Sequence, residues 1–326
     1  MKKWILIVVV FACQAATAQN FYSGRFAHTY SIVAIDSVNG EIGAAVQSHW
    51  FSVGSLVIWA ESGVGAVATQ SFVNPEFGPL GLHLMKSGHL PENALKMMLS
   101  GDEGREFRQV ALIDTAGHSA AFTGSRCVPE AGHISRHGFS VQANLMKNET
   151  VWPAMEKAFR ESSGPLAERM LSALMAAEAE GGDIRGRQSA AMLVVKLKPS
   201  GKPWQDRLVD LRVEDHPQPL QELKRLLQVH RAYEHMNAGD LAIERGDEAA
   251  ALREYSAAET LQPDNLEMKY WHAVSLANIG KVEESLPLFR EIFRADENWR
   301  ILTPRLREPG MLKVSDNDFK KIMATE

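Results

Sequence analysis

Cysteine is nearly absent from this sequence, since Cys13 and Cys127 are its two representatives among 326 residues. Cys13 falls within a predicted N-terminal leader, so the chain that remains after cleavage holds a single thiol. One thiol cannot form an intramolecular disulfide, and it cannot build a thiolate metal cluster. A lone cysteine is more often a small buried hydrophobe than a nucleophile, and this is how we interpret Cys127.

Three other absences exclude further classes of function. The net charge is −5, and nothing in the sequence favours nucleic acid, which would require a basic patch. A Gly-rich phosphate loop, an H-E-x-x-H motif and a spaced Cys/His set are missing, so we expect no cofactor and no metal ion. The apolar run at residues 4–12 is too short to cross a bilayer core of roughly 30 Å, so no membrane span is predicted.

An N-terminal secretory signal is predicted for residues 1–18. Two lysines form a charged region, residues 4–12 form the apolar core, and Ala16-Thr17-Ala18 supplies an A-x-A cleavage site. Cleavage removes the two lysines, which makes the net charge more negative by two. We therefore expect a secreted protein, or a periplasmic one in a Gram-negative host.

Acylation of Cys13, which would make the protein a lipoprotein, is the alternative interpretation of this leader. Phe11 and Ala12 match the context of an acylated cysteine imperfectly. Under the signal-peptide interpretation, residues 19–28 form a short segment ahead of the first predicted strand.

A β-hairpin is predicted for residues 29–48. Two runs rich in β-branched and small apolar residues, 29–35 and 42–48, flank a turn that contains Asn39-Gly40. Alternation places Thr29, Ser31 and Val33 on one face and Tyr30, Ile32 and Ala34 on the other. Both faces are largely apolar, so we expect this strand to be covered on both sides.

The rest of the core domain predicts helices grouped between hairpin-linked strands. Apolar residues at helical spacing indicate a buried face on the helix at 165–180. This order favours a layered α+β fold over the strict alternation of a doubly wound sheet. The other predicted helices are 81–86, 91–99 and 151–162, and the other predicted strands are 63–70, 109–114, 119–123, 139–145, 188–196 and 208–213.

Nine collinear segments between residues 27 and 219 carry a family resemblance: TYSIVAID, IGAAVQSHWFSVGS, WAESGVGAVATQSFVNP, GPLGL, RQVALID, AAFTGSRCVPEAGH, FSVQANLM, GGDIRGRQSAAMLVVK and DLRVEDHP. They resemble the DUF1028 family, a domain of unknown function. The resemblance implies an N-terminal nucleophile (Ntn) hydrolase fold, a four-layer αββα sandwich, over residues 29–219. Many members look like chains that begin Met-Thr-Phe-Ser-Ile-Val-Ala, and Thr29 falls on that threonine.

The resemblance implies that Thr29 is a catalytic nucleophile. A threonine hydroxyl can be activated by its own free α-amino group, whose pKa near 8 suits a general base. Because residues 19–28 remain after signal cleavage, this mechanism requires a second cut between His28 and Thr29. The alternative is that Thr29 is merely a β-former at the start of a strand.

Four more candidates lie at the ends of predicted strands. Ser48 and His49 follow the second strand of the hairpin, where Ser48 would bind substrate and His49 would orient substrate or shuttle a proton. Gln142 and Asn144 share one face of the strand at 139–145, and an inward amide is a plausible oxyanion donor. The alternative for His49 is that it is a partly buried structural histidine. The alternative for Gln142 and Asn144 is that their amides satisfy backbone groups at the end of the sheet.

The loop at residues 181–188 is the densest polar stretch of the core domain. Asp183 is assigned a catalytic role, and Arg185, Arg187 and Gln188 are assigned to substrate binding. Asp183 would pair with one of the two arginines in a bidentate arrangement, or an arginine would bind a substrate carboxylate. Glycines let such a loop turn sharply beside a ligand, and functional residues concentrate on loops held by rigid elements. The alternative is that the loop is purely structural.

Residues 220–326 predict an all-α module. Pairs of similar residues recur at a spacing of 34, and this pattern resembles the tetratricopeptide (TPR) repeat: Gly239 and Ala273, Gly246 and Gly280, Ala251 and Ser285, Tyr255 and Phe289. Ala258 and Pro263 match the TPR pattern in the first copy. The second copy departs from the pattern, because it has Ile292 and Glu297 at the corresponding positions. Such a module implies a peptide or protein partner, and packing on the core or self-association is the alternative.

Together these features predict a secreted amidohydrolase of the Ntn type. It would cleave an amide-like C–N bond in an unknown small molecule or peptide, and its helical module would serve partner binding or assembly. The alternative is a catalytically inactive binding or scaffold protein with the same fold.

Overall fold

The computed structural model describes residues 25–325, so the predicted signal peptide and residues 19–24 lie outside the described residues. Within this range the strands are β1 (Arg25–Ala27), β2 (Thr29–Asp36), β3 (Glu41–Ser48), β4 (Ile58–Glu61), β5 (Gly65–Val73), β6 (Arg108–Asp114), β7 (Ser119–Thr123), β8 (Gly132–Arg136), β9 (Phe139–Ala143), β10 (Ser189–Lys196) and β11 (Arg207–Val213). The helices are α1 (Gly54–Val57), α2 (Phe77–Lys86), α3 (Pro91–Ser100), α4 (Val151–Glu161), α5 (Leu166–Ala179), α6 (Pro219–Glu244), α7 (Glu248–Leu261), α8 (Leu266–Asn278), α9 (Val282–Ala295), α10 (Glu297–Leu302) and α11 (Asp316–Met323).

Two antiparallel sheets form the centre of the N-terminal part. The first sheet has the order β1-β5-β6-β7, with β4 also paired to β5, and the second has the order β11-β10-β3-β2-β9-β8. The predicted hairpin is confirmed as β2 and β3, in which Thr29 lies opposite Ser48. Asp36 Oδ1 accepts hydrogen bonds of 3.0 Å from the N–H groups of Val38 and Asn39, so the turn is closed by its own side chain.

Side chains alternate along β2 between two cores, as the sequence predicts. Tyr30, Ile32 and Ala34 face α4 and α5. Val33 faces the first sheet, in a cluster of mostly small side chains that lets the two sheets approach: Val33, Ala44, Val46, Ala66, Ala68, Ala111, Ile113, Ala191 and Leu193. The outer face of the first sheet packs on α2 and α3. Each sheet is therefore buried on both faces, once by the other sheet and once by helices.

Two boundaries differ from those that the sequence predicts. The strand expected at 63–70 begins at Gly65 and continues to Val73, while Gly63 lies in the preceding turn with a φ of +77°. The helix expected at 81–86 begins at Phe77. Gly78-Pro79 lies in its first turn, where backbone N–H groups have no partner inside the helix, so the proline does not break it.

The helix α6 is shared by the two parts of the chain. Its first half packs Leu223 and Leu227 on the core that covers the second sheet. Its second half packs Met236 against α7 and α8. Arg231 also holds α6 to α5, since its Nε and Nη2 lie 2.8 and 2.9 Å from the two carboxylate oxygens of Glu168. One continuous helix of 26 residues thus joins the two parts of the chain.

The C-terminal part is helical. Gly246 and Gly280, one pair at the 34-residue spacing, both have positive φ and follow the ends of α6 and α8. Tyr255 and Phe289, another such pair, are both buried in α7 and α9. No helix among residues 25–325 combines the length and apolar character that crossing a membrane requires.

Candidate functional site

Thr29 lies where strand ends from both sheets meet. It begins β2, and Ser48 lies opposite it at the end of β3. Asn144 follows β9, and its N–H donates to Thr29 O at 3.1 Å. From the first sheet, Gln70 Nε2 donates to the same oxygen at 3.3 Å. The backbone of Thr29 is therefore fixed by residues from several strands.

The hydroxyl of Thr29 is buried without a partner. The residue has no exposed surface, and Oγ1 has no hydrogen bond to any described residue. Leaving a buried polar group unsatisfied costs about 1–3 kcal/mol, and such a group in a native structure requires an explanation. A reactive role is one explanation, because an oxygen that attacks a carbonyl carbon must keep a lone pair free.

The peptide carbonyl immediately before Thr29 is held by two side chains. Ser48 Oγ donates to His28 O at 2.7 Å, and Arg185 Nη2 donates to the same oxygen at 2.9 Å. Two donors on one carbonyl oxygen, one of them charged, polarise the C=O bond and stabilise negative charge on that oxygen. The unpartnered hydroxyl of Thr29 and the polarised carbonyl of His28 belong to adjacent residues.

Arg185 is positioned by Asp183. Arg185 Nε and Nη2 lie 3.0 and 2.7 Å from the two carboxylate oxygens of Asp183, a bidentate pair. The Asp183 side chain is fully buried, and it also accepts from the N–H of His49 at 3.3 Å. Gly182 and Gly186 adopt φ of +52° and +111° around this pair, a backbone conformation that glycine adopts readily. The loop is therefore bent around an ion pair that aims Arg185 at His28 O.

The His28 ring is buried and carries its proton on Nδ1. Nδ1 lies 2.8 Å from Asn144 Oδ1, and Asn144 Nδ2 donates to Gln109 Oε1, so Oδ1 is the acceptor for His28. The ring meets Phe72 edge-on, with 5.8 Å between ring centroids. Burial lowers the pKa of His28 more than the hydrogen bond to Asn144 raises it, and the nearby Arg185 lowers it further. The imidazole is therefore neutral at neutral pH.

A network of buried side chains connects the two sheets beneath the site. Gln70 Nε2 and Asn144 Nδ2 donate to Gln109 Oε1 at 2.6 and 2.9 Å. Gln142 Nε2 donates to Ser31 Oγ at 2.6 Å, and Ser31 Oγ donates to Gln70 Oε1 at 2.6 Å. All five side chains are fully buried. Mutually satisfied groups in a low-dielectric interior fix one another's rotamers, so the network holds the strand ends in register.

The structure brings together Thr29, Ser48, Asn144, Asp183 and Arg185 from the predicted site. Their contacts converge on the backbone between His28 and Thr29.

The other four predicted residues are placed differently. Gln142 lies deeper between the sheets, and Gln188 contributes its backbone N–H, which donates to Ser48 O at 3.0 Å. Arg187 pairs with Glu178 at 2.7 Å on the helix-facing side of β2, where Glu178 also accepts from Tyr30. His49 binds Asp183 through its backbone, and its Nδ1 is buried with no partner among the described residues.

Three residues of this region were not predicted from the sequence: His28, Gln70 and Gln109. The last two are amides inside otherwise apolar strands, which is the signal by which they could have been found. His28 was assigned to the segment ahead of the domain, and no sequence signal marks its carbonyl as a hydrogen-bond acceptor.

Cys127 takes no part in the site. It is buried, its Sγ donates to Arg108 O at 3.3 Å, and burial raises the pKa of its thiol. This confirms its interpretation as a buried residue. In the described range no group of three or more His, Cys, Asp or Glu side chains is arranged to hold a metal ion.

The fold and the site define a mixed α/β protein with two antiparallel sheets, a polar cluster at one end of them and a helical C-terminal region. Residues 29–223 match the family of unknown function DUF1028. The chain belongs to the DUF1028 family.

One solved structure supports this membership. The chain is similar to the crystal structure of protein SPO2555 from Silicibacter pomeroyi, which is assigned to the same family. The two share 34% sequence identity with a TM-score of 0.55, over 62% of this chain and 88% of that one. Among curated proteins, no match to this chain was found.

Proposed function

We propose that this protein is a secreted hydrolase of the N-terminal nucleophile type, which cleaves an amide-like C–N bond with Thr29 after the chain is cut between His28 and Thr29. One observation carries the proposal: a buried Thr29 hydroxyl without a hydrogen bond lies next in the chain to the His28 carbonyl, and Ser48 and Arg185 polarise that carbonyl. The two stacked sheets with helices on their outer faces support an αββα sandwich, and the family match begins at Thr29.

The cut is an intramolecular reaction of the chain. Thr29 Oγ1 attacks the carbonyl carbon of His28, and negative charge develops on His28 O, where Ser48 and Arg185 donate. The C–N bond breaks, the nitrogen of Thr29 takes up the proton of the hydroxyl, and an ester joins His28 to Oγ1. Water then hydrolyses the ester, which leaves a carboxylate on His28 and a free amine and hydroxyl on Thr29. Two preorganised donors are the means by which proteins stabilise such an oxyanion.

The same atoms then serve the hydrolysis of a substrate. The free α-amine of Thr29 accepts the proton of Oγ1, and Oγ1 attacks the substrate carbonyl to form an ester. The protonated amine supplies a proton to the departing nitrogen, and water releases the acid. Asp183 takes no direct part in these steps, since it acts as a positioning residue for Arg185.

Intact mass and N-terminal sequencing of protein recovered from the host's extracellular or periplasmic fraction test this proposal. We expect a chain that begins at Thr29, and we expect Thr29→Ala to remain uncut while Thr29→Ser still cuts. A folded wild-type chain that begins at Gln19 and stays intact on prolonged incubation would refute the mechanism. Full-length protein in the cytosol would refute the secreted location and the signal peptide at residues 1–18.

A second function, the binding of a partner protein, is favoured by a groove in the C-terminal helices. It is also the function that this chain would have if it were a catalytically inactive scaffold. The C-terminal helices enclose a groove of about 600 Å³. Its lining combines acidic and aromatic side chains with none from Lys or Arg, and includes Asp240, Glu244, Glu267, Tyr233, Tyr255 and Trp271. Ser275 also lines it, and its Oγ is buried without a partner among the described residues.

We propose that this groove, in a TPR-like module, binds a Lys- or Arg-bearing segment of a partner protein. Carboxylates attract the cation, and the indole face of Trp271 can stack on it. Hexa-arginine should bind in a salt-sensitive manner, hexaglutamate should not, and Glu244→Gln with Glu267→Gln should weaken the interaction. Equal binding of the two peptides, or no effect of the double variant, would contradict this role.

A further inference from the structure

The chain crosses from one sheet to the other within a single residue. Ala27 pairs with Ser71 in the first sheet, and Thr29 pairs with Ser48 in the second. His28 lies between them, so the peptide bond proposed to be cut is the point of crossing. The residues on its two sides are therefore held by different sheets, and cutting the bond separates a strand of the first sheet from a strand of the second.

The strand β1 on the acyl side of that bond is held at a sheet edge. Its three residues pair antiparallel with Val73, Phe72 and Ser71 of β5. The pairing is made by backbone groups, so it places no demand on side-chain identity. An extended segment that adds to an open strand edge is a recurring mode of peptide recognition. Departure of β1 would open this stretch of β5 to another extended chain.

Specific contacts accompany this backbone pairing at two positions. Ala27 is fully buried in the cluster between the sheets, so the position accepts a small side chain. The His28 ring lies edge-on to Phe72 and donates to Asn144 Oδ1, so the next position accepts a planar side chain with a donor. The carbonyl that follows reaches Ser48 and Arg185.

We propose that residues 25–28 occupy the acyl side of the substrate site, and that the substrate is an extended peptide-like amide that adds to β5 in place of β1. This inference rests on the proposed function, since it requires the cut before Thr29. The substrate carries a small residue followed by a planar residue with a donor, and its next carbonyl takes the place of His28 O. The scissile C–N bond follows that carbonyl.

The reaction of such a substrate is balanced with water alone. Thr29 Oγ1 bonds to the carbonyl carbon, the C–N bond breaks, and the amine leaves with a proton. Water then cleaves the ester and restores Thr29. The acid product ends in a carboxylate next to Arg185. A peptide with the sequence of residues 25–28 and a free C-terminal carboxylate is therefore a product analogue.

Two peptides with the sequence Arg-Phe-Ala-His test the inference. The protein used is cut before Thr29, and the released N-terminal segment has been removed from it. The peptide with a C-terminal anilide dye should be hydrolysed, and the free acid should inhibit competitively. The matched controls are the reversed sequence His-Ala-Phe-Arg and the same tetrapeptide with D-Ala at the second-last position, which disrupts the extended pairing. We expect at least about tenfold lower kcat/KM and affinity for both controls.

A pair of variants tests whether the free acid inhibits by binding beside β5. Phe72→Ala removes the ring that contacts His28, and we expect about tenfold weaker inhibition by the free acid, the upper range for an aromatic contact. Trp204→Ala removes an exposed ring between β10 and β11 and should leave inhibition unchanged.

Failure of this inference can be distinguished from failure of the proposed function. Acetyl transfer from p-nitrophenyl acetate to Thr29, read by mass, reports the nucleophile without any peptide. Cut protein that is acetylated at Thr29, yet neither hydrolyses the anilide nor binds the acid better than its reversed control, overturns the substrate class alone. An uncut chain, or cut protein without acetylation at Thr29, overturns the function on which the inference rests.

Discussion

Arg185 and Asp183 form a bidentate ion pair, with Nε to Oδ1 at 3.0 Å and Nη2 to Oδ2 at 2.7 Å. The Asp183 side chain is fully buried, while the Arg185 side chain is about a quarter exposed. The pair therefore does two things: it neutralises a buried charge, and it fixes the nitrogen that reaches His28 O.

Replacing one partner of this pair should harm both stability and cutting. Arg185→Ala leaves Asp183 buried without its cation, which we expect to lower the free energy of unfolding by about 3 kcal/mol. Urea unfolding measures this effect. Arg185→Lys keeps the charge but loses the bidentate geometry, so it should fold better than the alanine variant and still cut slowly. Equal cutting rates in Arg185→Lys and wild type would contradict a positioning role for the pair.

Ser48→Ala should slow the cut before Thr29 while the fold persists. The variant loses one of the two donors to His28 O, and loss of one such donor lowers rates by about 10²–10³-fold. Its effect on stability should stay near 1 kcal/mol, because Arg185 still satisfies the carbonyl. A time course of the precursor on denaturing gels, with Ser55→Ala as the exposed control, measures the difference. Unchanged cutting would show that this hydrogen bond is structural.

The uncut chain should lose stability as the pH falls from about 7 to 5. Burial lowers the pKa of His28 in the folded chain, so the unfolded chain binds protons first, near the ordinary histidine pKa of about 6.5. Unfolding thus takes up protons, and stability falls with pH until the folded pKa is reached. In the uncut Thr29→Ala background, adding His28→Gln should flatten part of this slope in urea unfolding at several pH values. An unchanged slope after the His28→Gln substitution would contradict the prediction.

Gly239→Ala should destabilise the helical region. A Cβ at this position would lie 2.5 Å from the Tyr255 ring, so α6 and α7 would have to separate. The expected cost of overpacking, about 1–3 kcal/mol, exceeds the roughly 1 kcal/mol that alanine gains over glycine in a helix. Thermal unfolding followed by helical circular dichroism measures it. Gly101→Ala is the control, because its Cβ would meet nothing closer than 3.9 Å.

Local features of the sequence determined much of the core domain. The β2–β3 hairpin follows from alternation and the Asn39-Gly40 turn, and α5 follows from apolar residues at helical spacing. Both signals act over a few residues, so they can be read without knowledge of the fold. The strands β4 and β8 were missed because they are short and partly exposed, and their stability comes from pairing with longer neighbours.

The site was decided by the tertiary structure. The sequence singled out Thr29, Ser48, Asn144, Asp183 and Arg185, but it left open which arginine pairs with Asp183 and what the pair does.

Contacts across long stretches of chain settle these points. His28 meets Asn144 across 116 residues and Arg185 across 157. Gln70 and Gln109 are paired on neighbouring strands of the first sheet, and they join the site because the two sheets stack and bring their amides to Thr29 O and Asn144. No local pattern encodes such a contact, since it depends on the register of every strand between the two residues. The sequence therefore specified which residues are polar, whereas strand pairing in the second sheet and the loop held by Asp183 specified that Ser48 and Arg185 meet on the carbonyl before Thr29.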